Sequence, residues 1–212
     1  KKSLNILRKT NALIDGHFVL SSGLHSPQYI QCAKLLSFPH LSNKICQSLA
    51  KKIKKNFKKI DLILSPAMGG IIIGYEIGKL LKKETIFCER VNGKFNLRRG
   101  FRIKKNTNVV IVEDVITTGK SSLECVKLIR KSHAKLLGFA CLIDRSSKKN
   151  LKIKNKKIIS QIKLNVPTYT KKNLPDSSRE QKEKIRLFSQ TKENITKGTT
   201  RHNFFSFLYS RT

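Results

Sequence analysis

What this chain has least of is acid: 13 Asp and Glu stand against 45 Lys and Arg in 212 residues, for a formal charge of +32. Tryptophan is absent and methionine occurs once. Cysteine is sparse as well, with five residues (Cys32, Cys46, Cys88, Cys125 and Cys141) and no Cys-x-x-Cys pair. An odd, irregularly spaced set argues against a disulfide framework or a thiolate zinc site and predicts reduced thiols, the state of the cytoplasm. No apolar run nears the roughly 20 residues that cross a bilayer. The stretch KKSLNILRKTNALIDG has neither the apolar core nor the small-residue cleavage site of a secretory leader. A cytoplasmic protein without a membrane partner is expected. The hydrophobic fraction of 39% suits a globular chain long enough for a sizeable core.

The charge imbalance invites a nucleic-acid reading. The lysines are nevertheless spread along the chain (Lys51, Lys52, Lys54, Lys55, Lys58, Lys59, then Lys148 to Lys157), not gathered in a motif interleaved with aromatics. They are read as a solvated surface that raises the encounter rate of anionic substrates, and not as a nucleic-acid footprint. Against this background two adjacent acids, Glu113 and Asp114, at the end of the apolar run VVIV, call for an explanation.

The periodicity predicts a helix over 3–15 and short strands around a Ser-Gly turn in GHFVLSSGLHSPQYIQCAKLL, where Pro27 excludes a helix interior. LSNKICQSLAKKIKKNF reads as an amphipathic helix with Ile45, Leu49 and Ile53 on one face. The strands DLILS, ETIFCE, NVVIVED and AKLLGFACLID are separated by the helices IIIGYEIGKLLKK and KSSLECVKLIRKS, with weaker strand signal in KKIISQIKLNVPTY. Such alternation predicts an α/β fold with a parallel sheet covered on both faces. Ligands bind such sheets at the carboxyl ends of the strands, which is where SPAMGG, the stretch after ETIFCE, and EDVITTGKSS fall. Residues 177–212 are polar until a final FFSFLYS and are expected to form a poorly ordered C-terminal extension.

In EDVITTGKSS a strand passes into a helix. Backbone N–H groups at a helix N-terminus form an anion cup, hydroxyls of Thr117, Thr118 and Ser121 add donors, and Gly119 permits close approach. Acids beside such a cup would repel a phosphate unless they accept hydrogen bonds from something attached to it. A ribose diol is such a group, so a ribose 5-phosphate satisfies both halves. SPAMGG exposes N–H groups of Gly69 and Gly70 before a helix and predicts a second anion loop. In ERVNGKFNLRRGF, Arg90, Lys94, Arg98 and Arg99 cluster around an Asn92-Gly93 turn, a cationic hairpin suited to stabilising a leaving group that gains negative charge.

These segments resemble those of the type I phosphoribosyltransferases, in which VVIVEDVITTGKSS corresponds to the phosphoribosyl pyrophosphate (PRPP) motif. The N-terminal GHFVLSSGLHSPQYI and LIDRSS (142–147) are similar to segments of the orotate phosphoribosyltransferases. The resemblance covers about residues 3–176 and implies that family's fold: a parallel central sheet of about five strands flanked by helices, with a small hood from 17–36 and 157–169. It implies that Glu113 and Asp114 hold the ribose hydroxyls and act in catalysis with Lys94 and Arg90. Thr117, Thr118, Gly119, Lys120 and Ser121 would hold the 5-phosphate, and Val115 and Ile116 would belong to the same PRPP site. Ala67, Met68, Gly69 and Gly70 would take the pyrophosphate, through an unusual peptide geometry, with Arg90, Lys94, Arg98 and Arg99 from the flap. Thr117, Arg145, Ser22 and Gly23 would bind orotate, Arg145 through a bidentate pair with its carboxylate. The implied cofactor is Mg²⁺, held mainly through PRPP and water with no direct protein ligand, and the implied assembly is a homodimer. Many members carry lysine where this chain has Ser21, Gly69 and Val91; Lys94, Arg98 and Arg99 would then supply the charge, some of it across a dimer interface. The competing readings are a purine or uracil phosphoribosyltransferase, which a base panel separates, and a PRPP-responsive RNA-binding regulator, which would show salt-dependent binding without turnover.

Overall fold

The computed structural model describes residues 2–20, 23–146 and 156–175; the expected extension over 177–212 lies outside them. In chain order the elements are α1 (Lys2–Lys9), β1 (Leu13–Val19), β2 (His25–Ile30), α2 (Cys32–Leu36), α3 (Pro39–Asn56), β3 (Leu62–Pro66), α4 (Gly69–Leu81), β4 (Glu84–Val91), β5 (Lys94–Asn96), β6 (Asn108–Ile116), α5 (Lys120–Lys131), β7 (Lys135–Asp144) and β8 (Ile158–Lys163), followed by a 3-10 turn at Lys171–Asn173. The described residues fall into two units, 2–14 with those of 29–166, and those of 15–28 with 167–175.

The larger unit is built on one sheet of order β5-β4-β3-β6-β7-β8. Strands β4, β3, β6, β7 and β8 run parallel, and β5 adds an antiparallel hairpin to β4. The central strands are apolar on both faces because helices cover both. Val110 and Val112 of β6 pack on the side of α3 and α4, with Ile45, Leu49, Ile53, Ile73 and Ile77. Val109 and Ile111 pack on the other, with Cys125, Val126 and Ile129 of α5. Alternation from Val109 to Asp114 thus assigns odd residues to the α5 face and even residues to the α4 face, and the order reverses at Val115 and Ile116.

Helix α4 lies close against the sheet because its inner face carries Gly70, Gly74 and Gly78. A Cβ at Gly74 would stand 2.9 Å from the Ser65 Cβ, and one at Gly78 3.0 Å from the Thr85 Cβ. The helix ends at Lys82, whose φ of 54° turns the chain left-handed. Helix α3 begins at Pro39, a first-turn position where the missing N–H costs nothing.

Three expectations need correction. The first helix stops at Lys9 instead of running to 15, because Asn11 takes φ 54° and the chain enters β1 at Leu13. Residues 158–163 are not part of a hood: they pair in parallel with β7 as an edge strand of the main sheet. Their sequence explains this, since Ile158 packs on one sheet face and Ile159 and Ile162 on the other. The 17–36 segment is not hood throughout either, because its last residues form α2, whose Cys32, Leu35 and Leu36 are buried in the core on the α3 and α4 side of the sheet.

The smaller unit contains most of the β1–β2 hairpin. Its tip is tied by Leu20 N–H to Leu24 O and Gly23 N–H to Leu20 O, both 2.8 Å, with Gly23 at φ 77°. His25 and Tyr169 exchange two main-chain bonds of 2.8 and 2.9 Å. The buried rings of His17 and His25 meet through Nε2 and Nδ1 at 2.7 Å.

Candidate active site

The predicted anion loops both leave carboxyl ends of neighbouring strands, β3 and β6, in the larger unit. After β3 the chain is held down by the Ala67 N–H, which donates to Cys88 O at 2.7 Å. The Ala67–Met68 peptide bond is cis, the kind of unusual geometry the resemblance implies at this loop. Gly69 then opens α4, and its missing side chain has a specific consequence. A Cβ there would lie 2.6 Å from Asp114 Oδ2 and 2.8 Å from Oδ1. The carboxylate of Asp114 therefore rests on the first residue of α4, which joins the two loops into one site.

The side chains of the two acids of β6 leave the strand in different directions. Asp114 leaves the strand toward α4 and is held by the Val115 N–H at 2.9 Å. Burial raises its pKa, and the hydrogen bond from Val115 works in the opposite direction. Glu113 leaves on the α5 face, where it is 7% exposed and accepts a short hydrogen bond from the Ser122 hydroxyl. Burial raises its pKa to about 7; the bond from Ser122 opposes the rise and the neighbouring Asp114 charge adds to it. The expectation was that both would face one diol. In this structure Asp114 lies with the anion loops and Glu113 is turned inward onto the helix that follows.

Thr117 and Thr118 are exposed, Gly119 is buried at φ 73°, and Lys120 begins α5. The Leu123 N–H bonds to Gly119 O at 2.8 Å and the Lys120 N–H to the Thr118 hydroxyl at 3.4 Å, so the turn from 117 to 121 is shaped as a helix N-terminus. Val115 and Ile116 supply its root, Ile116 being buried.

Arg145 follows β7 directly. Its main-chain N–H donates to Ile116 O at 2.8 Å, which sets the arginine beside the 117–121 turn although Arg145 and Ile116 are 29 positions apart in sequence. Partial burial pulls its guanidinium pKa downward. Of the other residues expected at the base, Thr117 is in this turn, Gly23 is at the tip of the hairpin in the smaller unit, and Ser22 lies outside the described residues.

The flap is the expected hairpin. Asn92 and Gly93 take φ 49° and 76°, the double left-handed turn that Asn-Gly favours. Three of its four cations are occupied by acids. Arg90 pairs with Glu124 of α5 at 2.8 Å, donates to Gly93 O at 2.6 Å and stacks on Phe95 at 4.1 Å. Arg99 and Arg98 reach Glu89 at 3.2 and 3.8 Å. Lys94 is exposed and makes no ion pair among the described residues.

Sequence reasoning missed Ser122, Glu124 and Glu89, which contact Glu113, Arg90 and Arg99, and Asp144, which pairs with Ile116 across the sheet. Ser122 had a readable signal. Once the helix starts at Lys120, Ser122 lies in its first turn on the inner face that Cys125 and Val126 continue.

Residues 39–172 match the phosphoribosyl transferase domain family. The chain is 46% identical over 176 residues to the orotate phosphoribosyltransferase of Parvibaculum lavamentivorans, covering 82% of this chain and 90% of that protein. Among solved structures it is similar to orotate phosphoribosyltransferase from Aeropyrum pernix, with a TM-score of 0.66, 24% identity, and coverage of 76% of this chain and 92% of the other. It is also similar to adenine phosphoribosyltransferase from Thermoanaerobacter pseudethanolicus, with a TM-score of 0.56, 20% identity, and coverage of 65% and 88%. The two structural likenesses bear on the fold and not on the base. The matched domain, the curated relative and a site assembled from the motifs that carry the resemblance lead to one conclusion: the chain belongs to the phosphoribosyltransferase family, among the orotate phosphoribosyltransferases.

Proposed function

We propose that the chain transfers the phosphoribosyl group of PRPP to orotate, giving orotidine 5′-phosphate and pyrophosphate in de novo pyrimidine synthesis. The observation that carries this reading is the junction of β6 and β7. A helix-N-terminal phosphate turn, an acid seated on the neighbouring anion loop, and an arginine bonded to the root of that turn converge there. The turn 117–121 takes the 5-phosphate, Asp114 accepts from the ribose hydroxyls, and residues 67–70 take the pyrophosphate. Arg145 takes the orotate carboxylate as a fork-to-fork pair.

Asp114 offers hard oxygen donors. That donor set fits Mg²⁺ bound mainly through substrate oxygens and water. When bound, the ion neutralises charge on the pyrophosphate. The protein's own part is positioning and charge. As the bond from C1 of the ribose to the pyrophosphate oxygen breaks, Asp114 lies near the positive charge developing on the sugar. Lys94, with Arg90, Arg98 and Arg99 once they exchange their acids for the ligand, meets the negative charge on the leaving group. The orotate ring nitrogen, its proton lost to solvent, then bonds to C1, and no protein nucleophile is needed.

A homodimer is part of the proposal. Met68, Ile72 and Tyr75 lie at helical spacing on the outer face of α4 and are 82%, 52% and 63% exposed. An apolar stripe of this kind, beside the pyrophosphate loop, suits an isologous contact with a second copy. The location proposed is the cytoplasm, supported by five buried free thiols. No helix among the described residues is long and apolar enough to cross a membrane.

The test is loss of orotate absorbance in the presence of PRPP and Mg²⁺, run beside adenine, hypoxanthine and uracil. Consumption of orotate alone is expected. Turnover of another base with none of orotate would overturn the assignment.

A further inference from the structure

Asp144 is 5% exposed, in a chain that has only 13 acids, and the reaction proposed above does not use it. It is the last residue of β7. Its Oδ1 accepts two hydrogen bonds from Ser146, one from the main-chain N–H at 2.8 Å and one from the hydroxyl at 2.6 Å. Its Oδ2 faces Lys163 Nζ of β8 at 3.9 Å, and its main-chain carbonyl accepts the Leu164 N–H at 2.9 Å. Between the two braced residues stands Arg145, whose own N–H is bonded to Ile116 O.

We infer that Asp144 is a positioning residue for the base-binding arginine: by folding the 144–146 turn onto itself, it fixes where the Arg145 side chain starts relative to the phosphate turn. The inference rests on the reading of Arg145 as the orotate ligand. Ile116 immediately precedes Thr117, where the phosphate turn begins. The separation between the two ends of the substrate pair is therefore set by main-chain bonds. An arginine stem of three methylenes magnifies any error at its root. A loosened turn would cost base affinity before it cost anything at the sugar phosphate. The carboxylate acts through its turn and not through the guanidinium, since its ion pair is with Lys163.

The geometry separates shape from charge. An Asn at 144 keeps an oxygen that accepts both Ser146 bonds, while its amide faces Lys163 less favourably. An Ala keeps neither. In the full chain, Asp144→Ala should raise KM for orotate on the order of tenfold, with PRPP affinity by calorimetry unchanged and far-UV circular dichroism intact. Asp144→Asn should return KM to within about threefold of the parent. Ser146→Ala, which removes one hydroxyl, should give a rise of a few-fold and serves as the test if Asp144→Ala does not fold. The inference is overturned by an unchanged orotate KM in Asp144→Ala or in Ser146→Ala. A matching loss of PRPP affinity, or Asn as damaging as Ala, overturns it too. Arg145→Ala keeps the two readings apart. If it leaves orotate KM unaltered, the arginine assignment falls and the brace falls with it. If it raises KM while Asp144→Ala does not, only the brace falls.

Discussion

Glu113→Gln should make the protein more stable at alkaline pH and no more stable in acid. Glu113 is buried against Ser122, and its pKa is raised from 4.5 to about 7. Below the unfolded value both states hold the proton and the residue contributes no pH dependence. As pH rises from about 4.5, the unfolded chain releases its proton while the folded chain keeps it. The unfolded state then binds fewer protons, and stability falls until pH passes the folded value. The shift corresponds to a loss of about 3 kcal/mol once the residue is ionised in both states. Glutamine cannot titrate, yet its carbonyl oxygen can still accept the Ser122 hydroxyl, so the substitution removes the proton linkage without removing the contact. Urea unfolding of both proteins at about pH 5 and about pH 8 gives the difference directly. Other groups, Asp114 among them, titrate in both proteins and cancel. A gap that opens toward high pH by about 3 kcal/mol is expected. Parallel curves would refute the reasoning, because they would mean that Glu113 is ionised in the folded state despite its burial.

Gly69→Ala should weaken PRPP binding about tenfold with little change in melting temperature, since the new Cβ displaces Asp114 at an exposed helix start; calorimetry checks it, and an effect additive with Asp114→Asn would argue against the shared seat. Gly74→Ala should cost about 1–3 kcal/mol by overpacking α4 on Ser65, measured by thermal unfolding, and should spare the KM values of any folded fraction. Lys94→Ala should lower kcat by about 10²-fold or more without changing stability; a rise in KM alone would make it a binding residue instead.

Much of this arrangement was readable before any coordinates. The parallel sheet followed from apolar runs alternating with amphipathic helices, and both anion loops from glycines and hydroxyls placed where strand gives way to helix. The opposed directions of Glu113 and Asp114 were readable too, because neighbours on a strand face opposite ways. The motif suggested a pair, and the strand period was not applied to it. Other features were not available locally. The five-residue α2 is too short to show a period, and its burial depends on α3 and α4. The role of Ile158–Lys163 depended on which strand it met, and weak strand signal says nothing of partner. The ion pairs of Arg90 with Glu124 and Arg99 with Glu89 join residues 34 and 10 positions apart, and a cluster of cations in a sequence does not reveal the acids that face it.

The glycine face of α4 has a mechanical consequence. With almost nothing between its backbone and the sheet, α4 can neither slide nor tilt without driving atoms of Ser65 and Thr85 into contact, and close-packed matter resists such compression. The 67–70 loop, proposed to take the pyrophosphate, is thus mounted on a tightly packed helix. The β4–β5 hairpin is instead fastened by exposed ion pairs, whose rupture costs on the order of 1 kcal/mol each. A ligand that meets both displaces the hairpin more readily than the helix. Rate differences among variants of this enzyme should accordingly collect in β4, β5 and the acids that tether them, while substitutions under α4 register as loss of folded protein.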